Sequence, residues 1–186
     1  VIIKNRLFMS YVGIQSFLLG SMFAYIAASP FIFQSFYGLS AFVFSLCFGA
    51  NGAALVIGAN IGSKLPNCKA LAIGVLAFVV AALYTIAVLI IQPYWLFVEI
   101  GFFAMLLLMG ITFPAISSLA MESERQYAGS ASALLGFAPF FLGGVVSPLV
   151  GIGNIFYSTA LVILACSVLA LVIYWMVRHK IPNSAE

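Results

Sequence analysis

Uncharged residues run through this chain in long blocks, and the charged ones sit in short clusters between them. Residues 7 to 63, a run of 57, pass without a charge between Arg6 and Lys64. A membrane-crossing helix needs about 20 mostly apolar residues to match a hydrocarbon core of about 30 Å. This block therefore predicts two spans and a turn, with proline and glycine marking the turn between Ser29-Pro30 and Tyr37-Gly38. A third span ends at Gln92-Pro93, and a fourth carries Glu99 and Pro114. From Gln126 to Val177 another 52 uncharged residues make two more, divided at Gly151 to Asn154. The predicted spans are about 7–29, 39–61, 70–91, 94–121, 128–150 and 155–177, with 181–186 as a disordered cytoplasmic tail.

Composition agrees. Of 186 residues, 65% are hydrophobic and 6% charged, and the mean hydropathy is +1.24. Soluble domains carry about 25% charged residues, so there is too little charge here to cover a water-facing surface. Cytosolic enzymes, nucleic-acid binders and disordered tails are excluded. The net charge of +3 reads as orientation rather than as attraction for anions. Lys4 and Arg6, Lys64 and Lys69, Arg125, and Arg178 and Lys180 fall in the loops and ends of one side of a six-span chain. The opposite loops hold no Lys or Arg, and the positive-inside rule then makes both ends cytoplasmic. Tyr94-Trp95 and Tyr174-Trp175 fall at opposite span ends, where interfacial aromatic belts lie.

Chemistry is sparse. The single histidine, His179, stands between Arg178 and Lys180, and Cys47, Cys68 and Cys166 are widely separated. No cluster offers metal ligands or a nucleophile with its base, so neither an enzyme nor a cofactor is expected. The chain opens at Val1 without a signal-peptide pattern and reads as a cut inside a longer protein.

The spans follow a rhythm. The first is polar (Gln15, Ser16, Ser21, Tyr25), the second rich in small residues, the third nearly all aliphatic. The fourth is polar again (Glu99, Thr112, Ser117, Ser118), the fifth full of glycine, the sixth bland. Two three-helix repeats are expected, with the bland third and sixth helices facing lipid on every side.

The stretch GSMFAYIAASPF from Gly20 to Phe31, continued by Tyr37, Gly38, Leu39, Ser40 and Phe44, resembles the seventh helix and following turn of bicyclomycin/chloramphenicol-resistance (Bcr/CflA-type) transporters. The stretch AGSASALLG from Ala128 to Gly136, preceded by Gly110 and Pro114, is similar to their passage from the tenth to the eleventh helix. The resemblance implies a drug:proton antiporter of the bacterial inner membrane with the twelve-helix major facilitator fold, this all-α chain supplying its C-terminal six helices. The partners so implied are the N-terminal half, small amphipathic drugs, protons and lipid, with no nucleic acid. A weak echo of the family's loop motif falls at Gly58 to Lys64, without its acidic residue and arginine.

Gln15, Met22, Tyr25 and Ser29, spaced 7, 3 and 4 apart, share one side of the first helix. Such a mixed polar and aromatic face suits a bulky amphipathic drug, and helix packing is the other reading. Asn51, Phe103 and Phe140 complete the expected cavity. Glu99, six residues past Pro93, lies about 9 Å into a span. A charge there is costly, and such acids mark ion or proton pathways or join helices by hydrogen bonds. Gly49, Ala50, Gly52, Ala53 and Ala54 predict close helix approach around Asn51. Gly129, Ala133, Gly136, Phe140, Gly143 and Ser147 form a stripe of mostly small residues, and Pro114, Pro139 and Pro148 allow bending. Proton-coupled multidrug efflux by alternating access is the leading reading. A metabolite carrier, or a six-span channel or structural subunit, is the alternative. An isolated half is expected to pair with a second copy through its first, second, fourth and fifth helices.

Overall fold

The computed structural model describes residues 2–180, so the expected tail at 181–186 lies outside the described residues. Those residues are helical with no strand. Six helices are long and apolar enough to cross a membrane: α1 (Arg6–Pro30), α2 (Ala41–Gly62), α3 (Asn67–Ile91), α4 (Trp95–Ser123), α5 (Ala128–Val146) and α6 (Ile155–Val177). This is a multi-pass membrane architecture, consistent with half of a major facilitator fold.

Local chemistry sets the ends. Asn5 caps α1, its Oδ1 accepting from the backbone N–H groups of Leu7 and Phe8 at 3.1 and 3.2 Å. Asn154 and Ser40 cap α6 and α2 in the same way. At the far end of α1 the expected break does not occur at Pro30. Proline removes the N–H that would reach the Ile26 carbonyl, but the Ser29 hydroxyl donates to that oxygen at 3.3 Å. The helix then runs on as a π-helical stretch, Phe31–Phe36. The turn follows at Gly38, whose φ of +69° suits a residue without a Cβ. At the end of α5, Pro148 falls in a 3-10 helix, Ser147–Gly151, that closes the span.

The packing is an exchange between repeats. α1 packs chiefly on α5 and α6, and α4 packs chiefly on α2 and α3, while α1 meets α4 and α3 meets α6. Swapping the first three helices with the last three reproduces this pattern. The lead helix of each repeat is thus held by the other repeat's second and third helices, as expected of two three-helix units.

Several expectations about contacts are corrected. α3 does not face lipid on every side: 44% of its apolar window is buried, against 17% for α2. Thr85 of α3 packs on Gly101 of α4, and Thr112 of α4 packs on Gly74 of α3, with no room for a Cβ at either glycine. α6 likewise buries Thr159, Cys166 and Ser167. Lipid is as apolar as the bundle interior, so hydropathy alone does not separate a lipid-facing side from a packed one.

Of the small residues near Asn51, Ala54 is fully buried, but the glycines are not the close contact. Gly49 and Gly52 have open space where a Cβ would stand. The tight crossing lies about one to three turns further along, where Gly58 and Gly62 of α2 lie against the backbone of Leu107 and Ile111, and Gly110 of α4 lies against that of Leu55. The stretch Gly58 to Lys64, read as a faint loop motif, supplies this helix contact. In α5, Gly143 packs on the Phe23 ring, whereas Gly136 and Gly129 face open space rather than a packed helix.

Candidate functional site

The charged residues separate cleanly from the rest of the bundle. At one end Asn5 donates its side-chain amide to Glu124 Oε1 at 2.7 Å, joining the start of α1 to the end of α4. Arg125 pairs with Glu122 at 3.2 Å on the open surface, and the Arg178 guanidinium lies 3.8 Å over the Trp175 ring. At the other end no charge is found among the described residues. There the Tyr37 hydroxyl donates to the Pro93 carbonyl at 2.8 Å, tying the first turn to the third, and Phe36 meets Phe156 edge-on at 4.7 Å.

Glu99 is the exception, the one charged side chain of the described residues that is buried, 8% exposed on α4. Neither of its carboxylate oxygens has a hydrogen-bond partner in the fold. The Asn51 side chain of α2 lies beside it and interacts with it, but falls short of hydrogen-bond geometry to either oxygen. Asn51 is fully buried and donates instead to the Tyr25 hydroxyl of α1 at 2.9 Å. Its own Oδ1 is also unpartnered. Three helices thus deliver a carboxylate, an amide and a phenol to one buried spot.

Aromatic rings cluster at Tyr25. Phe102, fully buried and three residues after Glu99, lies 4.7 Å from the Tyr25 ring. Phe48 stacks on Tyr25 at 5.8 Å. Phe33 lies 6.2 Å from Phe102, and Phe44 links Phe33 to Phe48 at 6.3 and 6.0 Å. A buried carboxylate with two free oxygens is expensive to hold as a charge. The arrangement suits a group that changes its proton or ligand state rather than a structural ion pair.

The expected cavity residues divide. Tyr25 and Asn51 meet directly, and Glu99 joins them. Gln15 lies ten residues before Tyr25, about 15 Å along the helix, with its Oε1 buried and unpartnered like the Tyr11 hydroxyl one turn earlier. Met22 is half-buried against the core. Phe103 is half-buried, and its neighbour Phe102 makes the ring contact. Phe140, 65% exposed, meets Phe23 edge-on at 5.8 Å on α5, apart from the triad. Pro114 and Pro139 sit inside continuous helices.

Phe33, Phe48 and Phe102 were not singled out from the sequence, and Phe44 only as part of the family resemblance. The available signal was helical spacing from the polar members, since Phe102 stands three after Glu99 and Phe48 three before Asn51. A groove of about 620 Å³ opens at the charge-free end between Phe36, Gln92 and Asn154. Another of about 580 Å³ lies at the charged end against Tyr127 and Phe137. None of the expected cavity residues lines either.

No protein-family model matches the chain. The chain is 37% identical over 157 residues to the uncharacterized MFS-type transporter YdgK of Bacillus subtilis, covering 82% of this chain and 39% of that protein. It is 27% identical over 194 residues to the bicyclomycin resistance protein homolog of Haemophilus influenzae, covering 95% of this chain and 46% of that protein. The chain spans less than half the length of these curated relatives. The similarity supports an MFS (major facilitator superfamily) transporter, and such transporters are not enzymes.

Proposed function

We propose that this chain, which its relatives liken to an MFS-type transporter, is the C-terminal half of a proton-coupled exporter of amphipathic compounds, of Bcr/CflA type. Glu99 is its proton-carrying group. The observation behind this reading is the Glu99 carboxylate itself, buried beside Asn51 and Tyr25 with neither oxygen hydrogen-bonded. Intramembrane acids of this kind are costly, and proton relays are a recurrent use of them. The 27% identity to a bicyclomycin resistance protein homolog supports the drug cargo.

In this reading α2 and α5 line the transport path. α2 is the least buried helix, and it carries Phe48 and Leu46 on its free side, as α5 carries Phe137, Phe140 and Phe141. The N-terminal half of the same transporter covers those faces, and a second copy of the isolated half pairs through them. α1 and α4, with 61% and 56% of their windows buried, are largely used in the chain's own core and have little free face for such pairing. The charged end faces the cytoplasm of a bacterial inner membrane. Pro139 lets the path-lining α5 bend, Pro148 the segment that closes it and Pro114 the core helix α4, as the halves rock between inward- and outward-open states.

The test is efflux of a mixed drug panel from vesicles holding the intact protein, with and without a proton gradient. Efflux that rises with the gradient and collapses with an uncoupler is expected. Efflux indifferent to the gradient, or transport of a metabolite with no drug moved, would contradict the reading.

A further inference from the structure

Two contacts fix the register of α1 on α6. Gly13 lies against Ile173, and Gly20 lies against Cys166. Seven residues forward on α1 thus match seven back on α6, as two antiparallel helices require. The same step carries Arg6, seven residues before Gly13, to the short 3-10 segment Arg178–Lys180 that ends α6. α3 also packs on α6 and runs opposite to it, so its first turn, with Lys69, falls at the same end. An interaction between Tyr11 and Cys68 sets that turn of α3 beside α1 as well.

No acid neutralises these cations. Among the described residues Arg125 is the one basic side chain in an ion pair, and its partner is Glu122. Glu124 is held by the Asn5 amide rather than by Arg6. The Arg178 guanidinium lies 3.8 Å over the Trp175 ring, and its Nε donates to His179 Nε2 at 3.4 Å. Both Nη groups are left free. Stacking orients the guanidinium plane, and the free edge is a fork that matches phosphate oxygens.

The helix surface leading to these cations is apolar. Lys69 shares one face of α3 with the exposed Ile73, Leu76 and Val80, at spacings of 4, 3 and 4. On α6 the exposed Leu161, Val168, Val172 and Trp175, spaced 7, 4 and 3, lead up to Arg178. A free anion would use only the cations. Apolar stripes that end in cations, with an interfacial tryptophan at the boundary, fit a phosphate head carrying hydrocarbon tails. α6 packs chiefly on α1 and α3, so this flank lies away from the open faces of α2 and α5.

We infer that Arg6, Lys69 and Arg178 at the end of α6 bind the headgroup of an anionic phospholipid in the leaflet at the charged end, its chains lying along the stripes of α3 and α6. The arginines hold the phosphate oxygens. The lipid ties together three helix ends that otherwise present like charges to one another. The site depends neither on the cargo nor on Glu99.

The experiment is native mass spectrometry of the intact protein with added phosphatidylglycerol, and with phosphatidylcholine of the same chains as comparator. Phosphatidylglycerol should bind about tenfold tighter or more. Arg6→Gln and Arg178→Gln should each weaken it about fivefold, and together about twentyfold, the usual effect of a cation beside anionic lipid. Lys64→Gln with Arg125→Gln removes the same charge from the same end and should change binding less than about twofold. Excess inorganic phosphate should not displace the lipid. Phenylglyoxal modification of wild-type arginines, read by peptide mapping, avoids dependence on any variant's folding. Phosphatidylglycerol should slow it about fivefold or more at Arg6 and Arg178 and leave Arg125 unchanged. Equal binding of the two lipids, or equal loss in the Lys64/Arg125 control, would overturn the inference, since only diffuse charge would then be at work. Competition by free phosphate would overturn the lipid in favour of a soluble anion. Protection of Arg6 and Arg178 without any lipid would assign them to a carboxylate of the N-terminal half instead.

Discussion

Asn51 of α2 donates its side-chain amide to the hydroxyl of Tyr25 on α1 across 2.9 Å, in full burial. α2 leans almost wholly on α4, so this bond is a principal tie between the first two helices. It also holds the amide beside Glu99. Tyr25→Phe would leave the Asn51 donor unsatisfied in a dry interior, at a cost of about 1–3 kcal/mol. Asn51→Leu removes the donor and leaves the Tyr25 hydroxyl unpaired, so Tyr25→Phe, which removes that hydroxyl too, should cost less in that background. Denaturant unfolding of the four proteins in micelles measures the cycle, and additive losses would mean that the bond carries no coupling.

The α2–α4 crossing makes a contrast between glycines. Gly58→Ala drives a Cβ into the Leu107 carbonyl, and Gly110→Ala drives one into that of Leu55. Overpacking of this kind costs about 1–3 kcal/mol, and backbone obstacles yield less readily than side chains. Gly52→Ala meets open space. Thermal stability by size-exclusion chromatography should fall for the first two and hold for the third.

Much of this architecture was legible because charge is so unevenly spread. Arg6, Lys64, Arg125 and Arg178 bracket the uncharged blocks, and blocks of that length admit only paired spans. The repeat was legible from the return of polar, small and bland helices. Neighbour identity was not. Whether Gly52 or Gly58 touches α4, and whether Phe102 or Phe103 faces Tyr25, depends on the rotation of each helix, which hydropathy leaves open inside a uniformly apolar medium. α1 ran past Pro30 for a local reason, the Ser29 hydroxyl meeting the carbonyl that proline stranded. Tyr25, Asn51 and Glu99 were each visible as polar residues in apolar spans, while their meeting point required the exchanged packing of the two repeats.

Asn5 has two duties, capping α1 through Oδ1 and holding Glu124 through Nδ2. Asn5→Ala should destabilise the protein by about 0.5–2 kcal/mol, the usual cost of losing an N-cap. Asn5→Asp keeps the cap but sets a like charge against Glu124. It should recover stability in high salt, which screens the like charges. Melting curves across ionic strength distinguish the two duties.

Pro139 lies buried within the unbroken helix α5, where proline deletes one backbone hydrogen bond. Pro139→Ala restores that donor and should leave the melting temperature equal or higher. If α5 bends during transport, the same variant should slow turnover several-fold at unchanged drug affinity. Stopped-flow efflux against equilibrium binding separates these effects, and full turnover would make Pro139 a static feature.

The most direct test of the central claim compares two modes of transport in the intact protein carrying Glu99→Gln. A permanently neutral side chain of nearly the same shape should still permit exchange of drug for drug across the membrane, because that cycle needs no proton. It should abolish uphill efflux driven by a proton gradient. Uphill efflux in Glu99→Gln with the wild-type dependence on the gradient would contradict the account, since the coupling proton would then be carried elsewhere.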